Sequence, residues 1–362
     1  MKISDFSAEN LSEDVYYSRH FGLPGFNSES QQKLRNARVL IIGVGGLGCP
    51  TALYLAGAGV GTIALCDPDE VSITNLHRQI LFNTIDIGEK KVSIASQRLK
   101  IVNPYIHIET FSEAATIELL DEIISKYDIV IDCTDNFSSK YAINDACEAT
   151  KVPLVYGSIF QFEGQVSVFH YPTLISNKGI SYRDLYPDAP PEELAQNCGE
   201  AGVMGVLPGI IGAMQANEVI KIITGLGEPL AGYLLVFDAL KSTIEKLKLS
   251  KREKSTTQQE NKFNHNCKQI SYNELNELLQ SNNPPILIDV REKSEHDLIS
   301  LGGSLIPLAT LPLHLDKIPK DRDIVIYCKS GSRSARAVLY LQSIFTERTI
   351  FNLKGGLDAY SF

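Results

Sequence analysis

A glycine-rich turn near the amino end carries the first residues whose types and spacing could do chemistry. The apolar run at residues 39–42 leads into Gly43, Gly45, Gly46 and Gly48. This pattern is typical of a strand, a tight turn and a helix N-terminus whose backbone amides bind phosphate. About 20 residues on, Asp67 follows the next apolar run, where a carboxylate can accept hydrogen bonds from ribose hydroxyls. Together these residues predict a nucleotide site.

A short polar run distinguishes this pattern from that of a dehydrogenase. Asn75, Arg78 and Gln79 place two amides and a permanent cation beside the expected nucleotide. A cation there would neutralise phosphate charge, and no base suited to hydride transfer is evident. We therefore favour nucleotidyl chemistry on ATP, with an NAD-dependent oxidoreductase as the disfavoured alternative.

A second candidate site lies near the carboxyl end. Cys328 follows the β-type run 324–327 and precedes an apolar helical pattern. Backbone amides and a helix N-terminus around a cysteine favour the thiolate and, equally, the persulfide anion. Four residues separate Cys328 from Arg333. A related phosphatase loop has a longer spacing between cysteine and arginine, because it must surround a phosphate. The shorter spacing here favours a loop that binds a sulfur atom.

Alternating strand and helix patterns must position both sites. They predict an α/β fold with a doubly wound, mainly parallel, Rossmann-like sheet, continued by two antiparallel strands. The strands are expected at 39–42, 62–66, 128–132, 153–156, 165–170 and 232–237, and the clearest helices at 90–101, 140–150 and 207–224. A polar segment at 250–268 cannot bury a core and is interpreted as a linker. It divides a domain at 1–249 from a smaller α/β domain at 269–362, with strands at 286–290, 324–327 and 349–353 and a helix at 335–341.

Composition excludes some partners. The 362 residues carry a net charge of −9, which argues against nucleic acid or an anionic membrane as main partner. No apolar run approaches the length of a membrane span, and the acidic first residues lack the apolar centre of a signal peptide. Seven cysteines without paired spacing indicate reduced thiols and a cytoplasmic protein. Four of them are expected to be buried small hydrophobes, namely Cys49, Cys66, Cys133 and Cys147.

The residues of the first site, together with Lys91, Asp135 and Asn136, resemble the adenylation domain of the ubiquitin-activating superfamily. The most similar branch adenylates small sulfur-carrier proteins for molybdopterin synthase or thiazole synthesis, and the resemblance runs from about residue 16 to 249. It implies that Lys91 binds phosphate, that Asp135 holds Mg²⁺ on the triphosphate and that Asn136 helps to bind the nucleotide. Lys90 is adjacent to Lys91, and Asp135 could instead cap the helix that follows.

The same resemblance assigns roles to two further residues. Arg19 corresponds to an arginine that the family sends into the neighbouring subunit's site to contact the γ-phosphate, which implies a homodimer; an ordinary surface arginine is the alternative. Cys198, in a glycine-rich loop before a helix, corresponds to the cysteine that takes the activated acyl group or forms an acyl persulfide. A passive loop cysteine is the alternative there.

The family's structural zinc is expected to be missing. Members usually carry two Cys-x-x-Cys pairs, and the first should fall near Ser181 and Asp184, where both cysteines are absent. Near the second position only Cys267 occurs, unpaired. Since structural zinc usually takes four such ligands, we predict no zinc site, and the loop at 172–196 must be held in another way.

The second domain resembles a single rhodanese domain. The loop from Cys328 to Arg333, the flanking motifs at 289–292 and 354–357, and Tyr360 carry the resemblance. It implies that Cys328 receives sulfane sulfur, for example from a cysteine desulfurase, and holds it as a persulfide, with Arg333 at the end of the loop as a further catalytic residue.

The two resemblances together imply one activity. The first domain would use ATP and Mg²⁺ to adenylate the C-terminal glycine of a ubiquitin-like sulfur carrier ending in Gly-Gly, and the second would deliver sulfur to it. Molybdopterin-synthase adenylation is the leading interpretation, with thiazole synthesis or tRNA thiolation as alternative pathways. A carrier-binding module that has lost catalysis is the alternative of another class, which the presence of Arg78, Lys91 and Asp135 disfavours.

Overall fold

A computed structural model describes most of the chain. The described residues are 12–172, 179–187, 202–250, 267–281, 283–315, 318–319, 322–342, 344–345 and 348–360. They form two compact units, one built from the described residues up to 250 and the other from those after 266.

The first unit is built on one eight-stranded sheet, with strand order β3-β2-β1-β4-β5-β6-β7-β8. The first five strands run parallel, and the last three continue the sheet in antiparallel fashion. The strands are β1 (Arg38–Ile42), β2 (Thr62–Cys66), β3 (His107–Phe111), β4 (Ile129–Asp132), β5 (Leu154–Phe160), β6 (Glu163–Phe169), β7 (Tyr233–Asp238) and β8 (Thr243–Lys248). The predicted doubly wound, mainly parallel sheet with an antiparallel continuation is confirmed.

Helices cover both faces of this sheet. Alternate residues of β1 point into two separate cores: Val39 and Ile41 lie in one, Leu40 and Ile42 in the other. This double burial explains why the strand reads as a continuous apolar run. The helices are α1 (Glu13–Tyr16), α2 (Ser28–Asn36), α3 (Gly48–Ala58), α4 (Lys91–Val102), α5 (Ile117–Ile123), α6 (Phe137–Thr150), α7 (Tyr182–Leu185) and α8 (Val206–Thr224).

Helix α8 packs inside the first unit. By length and composition alone it is apolar enough to cross a membrane, although the sequence had indicated no run of that kind. Its side chains meet other elements of the fold, since Gly212 O accepts a hydrogen bond from Thr51 Oγ1 and Gln215 Nε2 donates to Asp132 O. A Cβ on Gly164 of β6 would collide with Ile211. The apolar character of α8 is therefore accounted for by helix–helix and helix–sheet packing.

The second unit is a smaller parallel α/β sheet, in the order β11-β10-β12-β13-β9. Its central strand, β12, ends directly at Cys328, and the helix after the loop begins at Ser332. The elements are β9 (Lys268–Ile270), α9 (Tyr272–Leu279), β10 (Ile286–Asp289), α10 (Lys293–His296), β11 (Ser304–Leu305), β12 (Ile324–Tyr327), α11 (Ser332–Gln342) and β13 (Ile350–Leu353).

Candidate functional sites

The glycine turn lies where the strand order of the first sheet reverses. Strand β1 has β2 on one side and β4 on the other, and ligands of such sheets bind outside the carboxyl ends at this point. Gly43, with φ +90°, directly abuts the end of β4, because a Cβ there would lie 2.7 Å from Cys133 O. A Cβ on Gly48, the first residue of α3, would collide with Gly43 O. Both positions require glycine, and the turn leads into the amino end of α3 as predicted.

Asp67 fixes this turn from the end of β2. Its Oδ2 accepts a hydrogen bond from Val44 N at 2.7 Å, and its Oδ1 accepts one from Asp69 N at 2.9 Å. The carboxylate is buried. The predicted ribose acceptor therefore lies against the backbone amides of the glycine turn.

Lys91, at the start of α4, is the lysine that faces the turn. Its buried Nζ lies 2.7 Å from Asp69 Oδ2 and 3.7 Å from Asp67 Oδ1. Lys90 points elsewhere, with Nζ 3.0 Å from Pro68 O and 3.2 Å from a Glu70 carboxylate oxygen at the surface. The geometry supports Lys91 over Lys90 as the phosphate-binding candidate.

The polar run 75–79 lies on the glycine turn. Arg78 donates from Nη1 to Thr74 O at 3.0 Å, and its Cδ lies 3.6 Å from the position of a Cβ on Gly46. Gln79 is buried, with Nε2 3.6 Å from the corresponding position on Gly45. Asn75 O accepts hydrogen bonds from the backbone amides of both residues, so a single turn positions them.

Gln79 also presents an unsatisfied acceptor. Among the described residues, its buried Oε1 has no hydrogen-bond partner. Leaving such a group unpaired costs about 1–3 kcal/mol, which a donor on a bound ligand would offset. This atom beside the glycine turn is the observation that most directly suggests a polar ligand there.

The loop after β4 separates the roles of Asp135 and Asn136. Asn136 is the N-cap of α6, because its Oδ1 accepts a hydrogen bond from Ser139 N at 2.8 Å. Asp135 is therefore not the capping residue, and its side chain is exposed at the carboxyl end of β4. The capping role that the sequence offered as the alternative for Asp135 therefore belongs to Asn136.

Arg19 is exposed, and the residue two positions before it packs at the far end of α3. The preceding Tyr17 anchors this segment, since Asn103 Nδ2 donates to Tyr17 Oη at 2.7 Å and to Ala56 O at 2.7 Å. Tyr17 also packs against Gly59, just after α3 ends. Helix α3 rises roughly 15 Å between its two ends, so Tyr17, two residues before Arg19, is anchored at the end of α3 away from the glycine turn of its own subunit.

Cys198 lies outside the described residues, but the segment that follows it is described. Val203 forms a parallel bridge with Gln161, and a Cβ on Gly205 would collide with His77 O. The chain that leaves the Cys198 region therefore contacts the loop that carries Arg78.

The segment near Ser181 and Asp184, where zinc ligands were expected and are absent, is held by side chains. Tyr182 is fully buried among aromatic rings, and its backbone amide donates to Asn144 Oδ1 at 3.0 Å. Arg183 forms a bidentate pair with Asp145 at 2.7 and 2.6 Å. The rings around Tyr182 are those of Tyr141, Tyr156, Phe169 and Tyr186. In the part of the chain that the structure describes, no three potential ligand side chains converge on a metal site.

In the second unit, Cys328 lies in a ring of backbone groups. Its buried Sγ accepts hydrogen bonds from Gly331 N at 3.1 Å and from Ser334 Oγ at 3.3 Å. Gly331 has φ +90°, and a Cβ on Gly356 would crowd Lys329 O, Cys328 O and Gly331 N. The loop therefore aims donors at the sulfur and excludes side chains from its back, an arrangement that stabilises a sulfur anion.

The sixth loop residue, Arg333, is neutralised by an acid. Its Nη1 and Nη2 donate to the two carboxylate oxygens of Glu295, each at 2.6 Å. Next to this pair, the buried Asp289 accepts hydrogen bonds from Arg291 and lies 2.8 Å from His296 Nδ1. Arg291 Nη1 donates to Glu295 O at 3.3 Å. These contacts connect the motif at 289–292 to the sulfur loop.

The four cysteines predicted to be buried are buried. Burial raises the pKa of Cys49 and that of Cys66 to about 12. It also raises the pKa of Cys133 and Cys147, so none of the four is a thiolate near neutral pH. The prediction that they act as small hydrophobic residues is confirmed.

Comparison with known proteins gives the family. Residues 17–259 match the ThiF family, and residues 271–361 match the rhodanese-like domain. The "Probable adenylyltransferase/sulfurtransferase MoeZ" of Mycobacterium tuberculosis is 37% identical, over 98% of this chain and 94% of its own length. The "Adenylyltransferase and sulfurtransferase MOCS3" of Aedes aegypti is 36% identical, over 97% of this chain and 87% of its own. The "Sulfur carrier protein adenylyltransferase" of Thermus thermophilus is 45% identical over 64% of this chain and 85% of its own.

Solved structures agree on the fold of the first unit. MccB of E. coli superimposes with a TM-score of 0.58 at 23% identity, covering 68% of this chain and 73% of MccB. PaaA superimposes with a TM-score of 0.56 at 22% identity, covering 70% of this chain and 79% of PaaA. At these identities the likeness shows the fold alone. The chain belongs to the ThiF family of adenylyltransferases, with a C-terminal rhodanese-like domain, and is an adenylyltransferase and sulfurtransferase of that family.

Proposed function

We propose that the first unit adenylates the C-terminal glycine of a ubiquitin-like sulfur-carrier protein and that the second supplies the sulfur. One observation supports this proposal most strongly: four polar side chains lie around the same glycine turn, at the point where the strand order of the sheet reverses. They are those of Asp67, Lys91, Arg78 and Gln79. Two relatives have names that specify such substrates: the Thermus thermophilus protein, and a "Probable molybdopterin-synthase adenylyltransferase" of Porphyra purpurea that is 36% identical.

Adenylation needs binding and charge neutralisation more than covalent catalysis. A carrier carboxylate oxygen attacks the α-phosphorus of ATP, and pyrophosphate leaves with the electron pair of the broken P–O bond. The amides of the glycine turn bind phosphate, and Asp67 accepts from the ribose hydroxyls. Arg78, held beside Gly46, neutralises the charge that develops on the α-phosphate. Lys91 exchanges its contact with Asp69 for a phosphate oxygen.

Magnesium fits the exposed Asp135. Mg²⁺ in nucleotide sites usually takes one or two carboxylates, with phosphates and water as the other ligands. Asp135 offers one carboxylate at the carboxyl end of β4, next to the glycine turn, and its neighbour Asn136 performs the capping. Bound there, the ion would draw charge from the triphosphate and make pyrophosphate a better leaving group.

The second unit carries sulfur at Cys328. The thiolate takes the outer sulfur of a donor persulfide, such as that of a cysteine desulfurase, and the donor leaves as its thiolate. The hydrogen bonds from Gly331 N and Ser334 Oγ stabilise the loop sulfur as an anion. Cys198 takes the acyl group from the adenylate as a thioester, and AMP leaves. The outer sulfur of the Cys328 persulfide then attacks the thioester carbon, and Cys198 leaves as its thiolate. A small thiol reductant attacks the Cys328 sulfur of the resulting acyl disulfide, the carrier leaves as its thiocarboxylate, and a second thiol reduces the mixed disulfide left on Cys328.

We propose a cytoplasmic homodimer in which Arg19 acts on the partner subunit's ATP. The anchoring of Tyr17, two residues before Arg19, at the end of α3 away from its own glycine turn supports an action in trans. Molybdopterin synthase remains our leading pathway, and carriers for thiazole synthesis and tRNA thiolation are the alternatives.

Carrier-dependent exchange of labelled pyrophosphate into ATP tests the proposal. Purified carriers of the three pathway types, each ending in Gly-Gly, are assayed in turn with the full chain. We expect exchange with one type, and a loss of about a hundredfold or more in Arg78→Ala. The matched control is Arg35→Ala, because Arg35 pairs with Glu13 on the surface, 2.9 Å away. Carrier binding without exchange in the wild-type chain would favour the binding-module alternative.

A further inference from the structure

Lys140, a buried lysine on α6, contacts the last residue of β4, after which the loop that carries Asp135 begins. Lys140 Nζ lies 3.0 Å from Asp132 Oδ2 and donates to Gly157 O at 3.0 Å. The side chains of Lys140 and Asp132 are only 6% and 1% exposed. Burying such an ion pair costs desolvation free energy, so the pair by itself adds little to the stability of the fold. A functional role would explain why the pair is buried.

The other oxygen of Asp132 holds the loop. Asp132 Oδ1 accepts hydrogen bonds from Thr134 N at 2.9 Å and from Thr134 Oγ1 at 2.6 Å. The next residue is Asp135, and after it Asn136 is fixed by its cap on Ser139 N. Asp135 therefore lies between two residues whose positions are set by hydrogen bonds.

These contacts close into a ring. The path runs from Asp132 to Thr134, through Asp135 and Asn136 into α6, and back from Lys140 to Asp132. Lys140 also neutralises Asp132, whereas none of the described cations pairs with the exposed Asp135, so the charge of Asp135 can meet a bound cation. Without the lysine, Asp132 would be a buried, uncompensated anion, and its contacts with Thr134 would have to rearrange.

We propose that Lys140 is a positioning residue for magnesium–ATP: acting through Asp132 and Thr134, it orders the loop that presents Asp135. The inference deepens the proposed function and rests on it. Carboxylate ligands depend on the hydrogen bonds that orient them, and loss of such outer contacts typically costs 10–100-fold in metal affinity.

The test compares the buried Lys140 with a half-buried lysine that has the same kinds of partner. Lys140→Met removes the pair at issue. Lys221→Met is the control, because Lys221 on α8 also pairs with a carboxylate, Glu218, and donates to a carbonyl, Glu228 O, at 2.8 Å. Lys140→Arg keeps the charge, and Thr134→Val removes one hydrogen bond to Asp132 without removing a buried charge.

Three measurements are made on each full-length variant: the Mg²⁺ concentration for half-maximal pyrophosphate exchange, the calorimetric Kd for ATP with and without Mg²⁺, and thermal unfolding. Lys140→Met should raise the half-maximal Mg²⁺ concentration by about tenfold and weaken ATP binding only when Mg²⁺ is present. Lys140→Arg should keep the half-maximal Mg²⁺ concentration close to that of the wild type. Thr134→Val should raise it, as Lys140→Met does. Lys221→Met should lower the unfolding temperature and leave the Mg²⁺ dependence unchanged.

The inference is overturned if Lys140→Met and Thr134→Val both keep the wild-type Mg²⁺ dependence. If Lys140→Met does not fold, Lys140→Arg and Thr134→Val decide the question by the same readouts. Failure of the proposed function looks different. The wild-type chain would then bind magnesium–ATP in the calorimeter and yet exchange with no carrier, while the comparison of the two lysines would still be decided by calorimetry.

Discussion

Arg333 and Glu295 form a two-point ion pair that ties the end of the sulfur loop to α10, with both N···O distances at 2.6 Å. The guanidinium lowers the pKa of Glu295 to about 2. Arg333 was predicted from sequence to be catalytic. In the structure its charge is balanced, so its evident task is to hold the loop around Cys328.

The pair predicts a pH-dependent contribution to stability. Because the pKa of Glu295 is lowered from 4.5 to about 2, its contribution is full above pH 4.5 and is lost as the pH falls toward 2. Glu295→Gln should therefore destabilise the second unit by about 1–2 kcal/mol at pH 7. The difference from wild type should shrink below pH 4.5. Hydrogen exchange of α11 peptides, followed at several pH values, measures this, and a difference that grows toward low pH would contradict it.

The two chemical steps should separate by mutation. Cys328→Ala should lose thiosulfate sulfurtransferase activity and persulfide labelling, yet keep carrier-dependent pyrophosphate exchange, because adenylation uses the first unit alone. Cys198→Ala should keep both exchange and persulfide labelling but slow thiocarboxylate formation, since acyl capture follows adenylation. Mass spectrometry of the labelled chain and of the carrier decides between them. Labelling that survives in Cys328→Ala and disappears in Cys198→Ala would make Cys198 the sulfur acceptor.

The protein should contain no structural zinc. The two expected cysteine pairs are missing from the sequence, and the buried ring of Tyr182 and the Arg183–Asp145 pair hold the segment near the first pair. Metal analysis of protein purified without an affinity tag should give well under one zinc per chain. A stoichiometric zinc that resists dialysis would refute this, and Tyr182→Ala should destabilise the unit by about 3–5 kcal/mol.

The turn glycine Gly43 should not tolerate a side chain. Gly43→Ala combines a φ of +90° with a Cβ 2.7 Å from Cys133 O, so we expect a loss of about 1–3 kcal/mol and weaker ATP binding. Gly57→Ala in α3 is the control, since a Cβ there meets nothing within 4 Å. Urea unfolding and ATP calorimetry on both variants test this; equal behaviour of the two would mean that the turn adjusts.

Arg19 should act across the dimer. Arg19→Ala and Arg78→Ala should each be inactive in pyrophosphate exchange as homodimers. When subunits are mixed and allowed to re-pair, a heterodimer has one site with both arginines, so about a quarter of wild-type activity should return. No recovery after verified subunit exchange would mean that Arg19 acts in its own subunit, and an active Arg19→Ala homodimer would place Arg19 outside the ATP site.

Strands with two buried faces were the most predictable elements. Strand β2 has the predicted bounds, and β1 and β4 differ by one residue at the start, because apolar runs between loops mark them clearly. The edge strands β3 and β8 were missed. All residues of β8 are exposed, and in β3 only Ile108 is buried; without a buried face a strand leaves no apolar pattern.

In the first site, residues that follow directly on a strand, such as Gly43 and Asp67, could be predicted from the spacing of the motif. Contacts between separate elements could not be predicted. The contacts of Lys140 with Asp132 and Gly157 depend on how α6 packs against β4 and β5, and no local sequence pattern indicates this packing. The capping of α6 by Asn136 instead of Asp135 depends on where the helix begins, and helix bounds are the least certain feature of a sequence pattern.

The burial of Cys328 limits what can exchange sulfur with it. The loop residue is fully enclosed, with its Sγ facing backbone amides. A second sulfur extends the chain by only about 2 Å, so the reactive atom stays near the floor of the loop. A reaction partner therefore has to bring its reacting atom to the enclosed sulfur on a narrow group. An extended end of a polypeptide that is rich in glycine is such a group, since it carries no side chains that would collide with the loop.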